Sequence, residues 1–170
     1  MAAVVVDTHA AVWYLLDSNR LSSEAQKAMD DAAEAGDPVF VSAISLVEIV
    51  YLVEKGRLPS VVIDRLTAAF SDRDSGFVIV PLDESSALAV QRISRDSVPD
   101  MPDRIIAATA LNLGLPLVTR DSKISSAYND NLVAETCSPF QRRSAKKSRT
   151  AIKFAAGSCR PTVQNARRWN

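Results

Sequence analysis

The sequence holds a single histidine, His9, among 170 residues. A nuclease that shuttles protons between two histidines is therefore excluded, and any acid–base chemistry has to draw on other groups. The two cysteines, Cys137 and Cys159, both fall late in the chain. They form neither a CxxC nor a metal-ligand spacing, so there is no disulfide framework. No GxxxxGKS/T or GxGxxG segment supports nucleotide-cofactor chemistry, and no GxSxG elbow supports a serine triad. No apolar run reaches the roughly 18 residues of a membrane span. The N-terminus lacks a basic region, and its apolar stretch is too short for a secretion signal. No period of about 20 to 50 residues marks a repeat array. These absences predict a soluble, cytoplasmic protein without a membrane contact.

What is present is an apolar body with an uneven distribution of charge. Hydrophobic residues make up 47% of the chain, enough for a real core. The formal net charge is zero, but all 20 acids stand in residues 1–136 beside 11 Lys and Arg, a net of −9. Residues 137–170 carry the other 9 basic residues and no acid. Residues 1–136 read as one folded domain. Residues 137–170 read as a basic, flexible tail with at most a weak helix near Thr150 to Ala156.

The body is organised around Ala3 to Trp13, AVVVDTHAAVW. A β-branched run ends in an acid, Asp7, and helix spacing follows through Val12, Leu15 and Leu16. That pattern predicts a buried strand, a tight turn and a helix. Asp7 either caps that helix or belongs to a ligand site at the carboxyl end of the strand. Further strands are predicted at Val39–Val41, Phe77–Val80 and Leu115–Val118, with a last edge strand at Leu132–Ala134. Helices are predicted between them. One begins at Ser22 or Ser23, one follows Pro59 with Val62, Ile63, Leu66 and Phe70 inward, and one follows Asp83 with Leu88, Ala89 and Ile93 inward. The helix over Ser42–Val53 is apolar nearly all round and predicts burial on all sides, with Glu48 in its middle. The last runs from Asp103 to Leu113, with Asp100 as its cap and Gly114 as its stop. Alternating strands and helices imply an α/β fold with a parallel sheet.

Four acids fall where such a sheet gathers its functional edge. Asp7 and Asp121 each follow a strand, Asp103 opens a helix, and Glu48 lies on a helix behind the second strand. Four close carboxylates repel one another, and divalent cations relieve that repulsion. Mg²⁺ and Mn²⁺ favour oxygen ligands, and paired ions about 4 Å apart serve in-line phosphodiester cleavage. A phosphatase or receiver protein is the competing enzyme reading. The phosphatase needs a second aspartate two residues after the first, where His9 stands. The receiver needs a lysine after a late strand, and none follows Leu115 to Val118. A binding module that keeps the fold without catalysis is the third reading. Arg104 and Arg120, next to two of the acids, read as phosphate contacts or as partners of the acids. Trp13, Tyr14 and Tyr51 read as core or dimer contacts, and His9 as a turn or helix-start residue.

Four segments in order carry a resemblance: VVVDTHAAVW at Val4 to Trp13, SAISLVEI at Ser42 to Ile49, PDMPDRIIAATAL at Pro99 to Leu111 and LPLVTRDSKI at Leu115 to Ile124. Over about residues 3–135 the chain resembles a PIN-domain ribonuclease, and more narrowly a VapC-type toxin of a toxin–antitoxin pair. The resemblance implies a three-layer α/β/α fold with a five-stranded parallel sheet. It implies Mg²⁺- or Mn²⁺-dependent cleavage of RNA, with Asp7, Glu48, Asp103 and Asp121 as metal-binding catalytic acids and Thr119 as a supporting hydroxyl. It further implies a homodimer and a cognate antitoxin as partners. Residues 137–170 match nothing in that family. Composition changes abruptly after Thr136, so a read-through or appended end fits them better than an RNA-binding arm.

Overall fold

The computed structural model describes residues 3–136, with side-chain surroundings through Asn129. The tail expectation for residues 137–170 lies outside the described residues.

Strand β1 (Val4–Val6) leads directly into α1 (Thr8–Leu15) and α2 (Ser23–Glu34). Strand β2 (Val39–Ser42), α3 (Ala43–Glu54) and α4 (Val61–Ser71) follow, then β3 (Phe77–Val80) and the short α5 (Glu84–Ala89). Helix α6 (Met101–Leu113), β4 (Leu117–Val118) and α7 (Ser122–Thr136) complete the described chain. The strands pair in parallel in the order β3-β2-β1-β4. Val6 stands opposite Val41 on one side and Val118 on the other.

Alternation along β1 builds the layers, because successive side chains leave a strand on opposite faces. Val5 joins Ile106, Ala107, Leu111, Ile124 and Tyr128 beneath α6 and α7. Val4 and Val6 join Ala10, Ala25, Met29 and Ala32 beneath α1 and α2. A third cluster, Val12, Trp13, Ile49, Val62 and Leu66, locks α1 to α3 and α4. All three residues of β1 are buried on both faces, as expected of a central parallel strand. Helix α6 ends at Gly114 with φ 64°, a left-handed C-terminal stop that favours glycine.

The α/β class with helices on both faces of a parallel sheet matches the sequence expectation, and the strand count does not. Among the described residues the sheet has four strands. Leu132–Ala134, expected as an edge strand, lies within α7. Three apolar residues are equally at home in a strand or one turn of helix, and here the helix that opens at Ser122 simply continues through them.

Two burial expectations also change. Helix α3 is not buried all round: Ser45 and Ile49 are buried, while Val47 is 61% and Tyr51 52% exposed. It rests on α1, α4, α6 and β2 and presents one apolar side outward. Leu88 is exposed because the Asp83 cap sets a register in which Ser86 and Ala89 turn inward. Among the described residues no helix is long and apolar enough to cross a membrane.

Candidate active site

A parallel sheet puts all its carboxyl ends on one edge. The chain passes from β1 to β2 to β3 on one side, then returns to β4 on the other side of β1. The crevice at such a reversal is where open α/β sheets bind ligands, and Asp7 and the Thr119–Asp121 turn stand beside it.

Asp7 caps the helix, and its second oxygen turns to the neighbouring strand end. Its Oδ1 accepts from the Ala10 amide at 2.6 Å and caps α1. Its Oδ2 accepts from the Thr119 hydroxyl at 2.6 Å and from the Arg120 amide at 3.2 Å. The cap therefore fixes the carboxylate at the sheet edge. Thr119, with no exposed surface, joins the two strand ends, since its oxygen also accepts from the Asp121 amide at 3.0 Å. Asp121 repeats the capping device: its Oδ1 accepts from the Lys123 amide at 2.6 Å at the start of α7. On α3, Glu48 Oε2 accepts a 2.5 Å hydrogen bond from the Thr8 hydroxyl, which ties that helix to the first residue of α1.

Electrostatics link these acids to the opening of α6. The Asp103 carboxyl is pushed up to about 7, chiefly by burial and then by the charges of Asp100, Glu48, Asp121 and Asp7. Burial also pushes Glu48 up, against the Thr8 hydrogen bond, with Asp100 and Asp7 adding to the rise. Repulsion and burial thus act together at Asp103, whose carboxyl feels the charges of the other three predicted acids. Among the described residues, no three His, Cys, Asp or Glu side chains converge so as to hold one metal ion between them. That arrangement fits a cation held by one or two carboxylates with water completing its shell, as Mg²⁺ commonly is. The donors are all hard carboxylate oxygens, the type that Mg²⁺ and Mn²⁺ select.

Three neighbours complete the description. Asp100, read from sequence only as a helix cap, makes no side-chain cap bond and contributes its charge to Asp103 and Glu48 instead. Its signal was available: an acid three residues before Asp103 shares its helix face. Thr8, next to Asp7, was missed as the partner of Glu48. Arg104 makes no ion pair with an acid among the described residues. Its guanidinium donates to the carbonyls of Ile93 (2.9 Å) and Val90 (3.2 Å) and satisfies the end of the 3-10 turn at Val90–Arg92.

Comparison with known proteins agrees with this architecture. The PIN domain family model matches residues 4–130. The chain is also 31% identical over 128 residues to Ribonuclease VapC22 of Mycobacterium tuberculosis, covering 74% of this chain and 92% of that protein. The chain is a PIN-domain protein of the VapC type. Solved structures of the same fold include VapBC2 from Rickettsia felis bound to a DNA fragment from their promoter, at TM-score 0.55 and 17% identity. That match covers 74% of this chain and 92% of the other. FitAcB from Neisseria gonorrhoeae matches at TM-score 0.50 and 22% identity, covering 74% and 93%. In this PIN domain the acids reach the sheet edge by three routes: the strand-end caps Asp7 and Asp121, the buried side of α3 for Glu48, and the first turn of α6 for Asp103.

The raised Asp103 carboxyl makes the PIN domain's stability depend on pH in a definite direction. A carboxyl that ionises near 7 when folded, and near 3.8 otherwise, binds more protons folded than unfolded across that window. Stability of the metal-free protein therefore falls as pH rises from about 4 to about 7 and stays reduced above. The site is partly open to solvent, which screens the effect to about 1 kcal/mol. Thermal melts in EDTA are expected to show this slope in the wild type and a flatter one in Asp103→Asn. An Asp103→Asn melting temperature that falls below the wild type at pH 8 argues against the repulsion.

Proposed function

We propose that this protein is a metal-dependent endoribonuclease toxin that hydrolyses RNA phosphodiester bonds. The observation that carries the proposal is the pair of acids Asp7 and Asp121 at adjoining strand ends, bridged by Thr119, with Glu48 tied to the same turn through Thr8. The 31% identity to a VapC ribonuclease supports it. On this reading one or two of Asp7, Glu48, Asp103 and Asp121 would ligate Mg²⁺ or Mn²⁺ directly, and the others would act through its water shell. When bound, the cation neutralises the crowded carboxylates, lowers the pKa of a coordinated water and stabilises charge on the phosphate. The carboxylates orient the attacking water. Its oxygen bonds to phosphorus as the P–O3′ bond breaks, leaving 5′-phosphate and 3′-hydroxyl ends. Thr119 acts through Asp7 and the Asp121 backbone as a positioning residue. Residues 1–136 form the nuclease domain, working in the cytoplasm where its substrate is made.

We also assign a cognate antitoxin and a second copy of the chain as partners. The outward apolar side of α3, with Val47, Val50 and Tyr51 exposed, supports protein contacts of this kind.

The test is cleavage of end-labelled structured RNA by the full chain with Mg²⁺, Mn²⁺ or EDTA. Cleavage with either ion, abolished by EDTA and restored by added Mn²⁺, is expected. Cleavage undiminished in EDTA overturns the metal-dependent mechanism. Absence of wild-type cutting across a broad RNA panel, with Mn²⁺ still bound, points to phosphoryl transfer. Absence of both points to a binding module.

A further inference from the structure

Beside Asp121 the surface opens into a cleft of about 240 Å³ lined by His9, Trp13, Arg20, Arg120 and Asp121. Two guanidiniums gather on one indole there. Arg20 Cζ lies 4.9 Å, and Arg120 Cζ 5.4 Å, from the centre of the Trp13 ring. The His9 ring stands 5.5 Å from the same indole, tilted by 47°. Trp13 is only 5% exposed, so it is the floor, while the exposed Arg20, Arg120 and His9 form the walls a ligand meets.

Neither arginine has an ion pair or a guanidinium hydrogen bond among the described residues. Cation–π contact holds each in place without using its donors. A guanidinium held this way loses little freedom on binding an anion and presents a planar fork that suits phosphate. Both arginines are also tied to their surroundings through the backbone. The Arg120 amide donates to Asp7 Oδ2 at 3.2 Å, and the Arg20 amide to Ser18 Oγ at 3.3 Å. The cleft is thus joined to the acid cluster through Arg120 and Asp121, and the two arginines outweigh the one carboxylate in its wall.

We propose that this cleft binds the phosphate and ribose of an RNA nucleotide flanking the scissile bond, with Arg20 and Arg120 on phosphate oxygens and the His9 ring against sugar or base. The proposal rests on the ribonuclease reading and names where that substrate is held. An acidic peptide would engage the guanidinium forks through its carboxylates and leave the ring faces unused. A nucleotide engages the charge and also the ring and guanidinium faces, on which RNA bases and sugars stack.

The experiment follows binding and cleavage separately. A fluorescein-labelled, mixed-sequence single-stranded RNA is titrated with the full chain in EDTA, read by anisotropy at several salt concentrations. The basic tail is present in every variant, so its contribution is constant. Arg20→Ala is expected to weaken binding about tenfold and to reduce the log–log salt slope by about 0.7, the value for one phosphate contact on a single strand. Arg20→Lys is expected to restore the slope without the full affinity, since an ammonium lacks the fork. In cleavage with Mn²⁺, Arg20→Ala is expected to raise KM about tenfold with kcat kept. In a Trp169→Phe chain the remaining indole is Trp13, and its emission is expected to change on adding RNA. Unchanged affinity and slope in both Arg20→Ala and the Arg20→Ala/Arg120→Ala double variant overturn the proposal. So does Arg20-dependent binding of a polyglutamate peptide in place of RNA, which assigns the cleft to an acidic protein partner. RNA cleavage that is indifferent to both arginines sinks the cleft and spares the ribonuclease. Arg20-dependent RNA binding by a protein that cuts no RNA keeps the cleft and removes the ribonuclease reading.

Discussion

Asp7→Asn is expected to lower RNA cleavage by at least about 100-fold while the protein stays folded. The substitution separates the two tasks of this side chain. An asparagine oxygen can still accept from the Ala10 amide, and asparagine is as good a helix cap as aspartate. On the other side, an NH₂ group would meet the Thr119 hydroxyl, which can turn to accept, and the Arg120 amide, which cannot. One strained contact costs about 1–2 kcal/mol, too little to unfold a domain of this size. The anion disappears altogether, and with it the cation ligand and water-orienting group that the proposed mechanism assigns to Asp7. Misplacement of reacting groups by about 1 Å alone can cost about 100-fold. The measurement is initial-rate cleavage of end-labelled RNA with Mn²⁺, beside a thermal melt. A folded Asp7→Asn protein that cuts at the wild-type rate would remove Asp7 from the chemistry.

Thr119→Val is expected to reduce activity and stability together, and Thr119→Ser to restore most of both. Valine matches threonine in shape but has no hydroxyl. The Asp121 amide loses its acceptor, and Asp7 Oδ2 keeps only the Arg120 amide. Because Thr119 is fully buried, water does not readily replace what is lost, and a cost of about 1–3 kcal/mol follows. Residues that orient metal-binding side chains typically contribute about 10–100-fold, and a loss of kcat/KM in that range is expected. The serine variant separates a hydroxyl effect from a packing effect. A valine variant as active as the serine variant would show that the bridge between the strand ends does nothing for catalysis.

The two variants together describe how the site is made. Strand β1 ends in an acid whose position is set by the helix it caps, and β4 supplies a hydroxyl that holds that acid against the next turn. The cap and the site are one arrangement. This is why weighing them as alternatives at Asp7 did not resolve from sequence: capping predicts a partner three residues on, and nothing local predicts a second partner at Thr119, 112 residues away.

Much of the fold was legible in local pattern. Val4–Val6 is β-branched and uninterrupted, and a strand buried on both faces needs that. Asp83 starts a helix and Gly114 stops one by chemistry confined to a few bonds, and both act as their types dictate. The order of strand and acid was enough to bring Asp7 and Asp121 together, because a parallel sheet aligns its carboxyl ends whatever fills the core. What sequence by itself determined, then, was the elements, their alternation and the candidate acids.

Tertiary structure decided the rest, wherever the outcome depends on what lies across the chain. Leu132–Ala134 continues α7 because no neighbouring strand captures it, and three apolar residues carry no preference strong enough to insist. The apolar circumference of α3 does not mean all-round burial, since only contact with α1, α4, α6 and β2 selects the face that is covered. Arg104 spends its guanidinium on the carbonyls of Val90 and Ile93, which the fold brings beside the start of α6. Asp100 stays at the N-cap of α6 without a side-chain cap bond, and its charge acts on Asp103 and Glu48 only once α3 and α6 meet. Local periodicity and capping act over a few residues and can be read from them. Burial, charge coupling and the choice among hydrogen-bond partners are sums over distant neighbours, and they exist only in the folded chain.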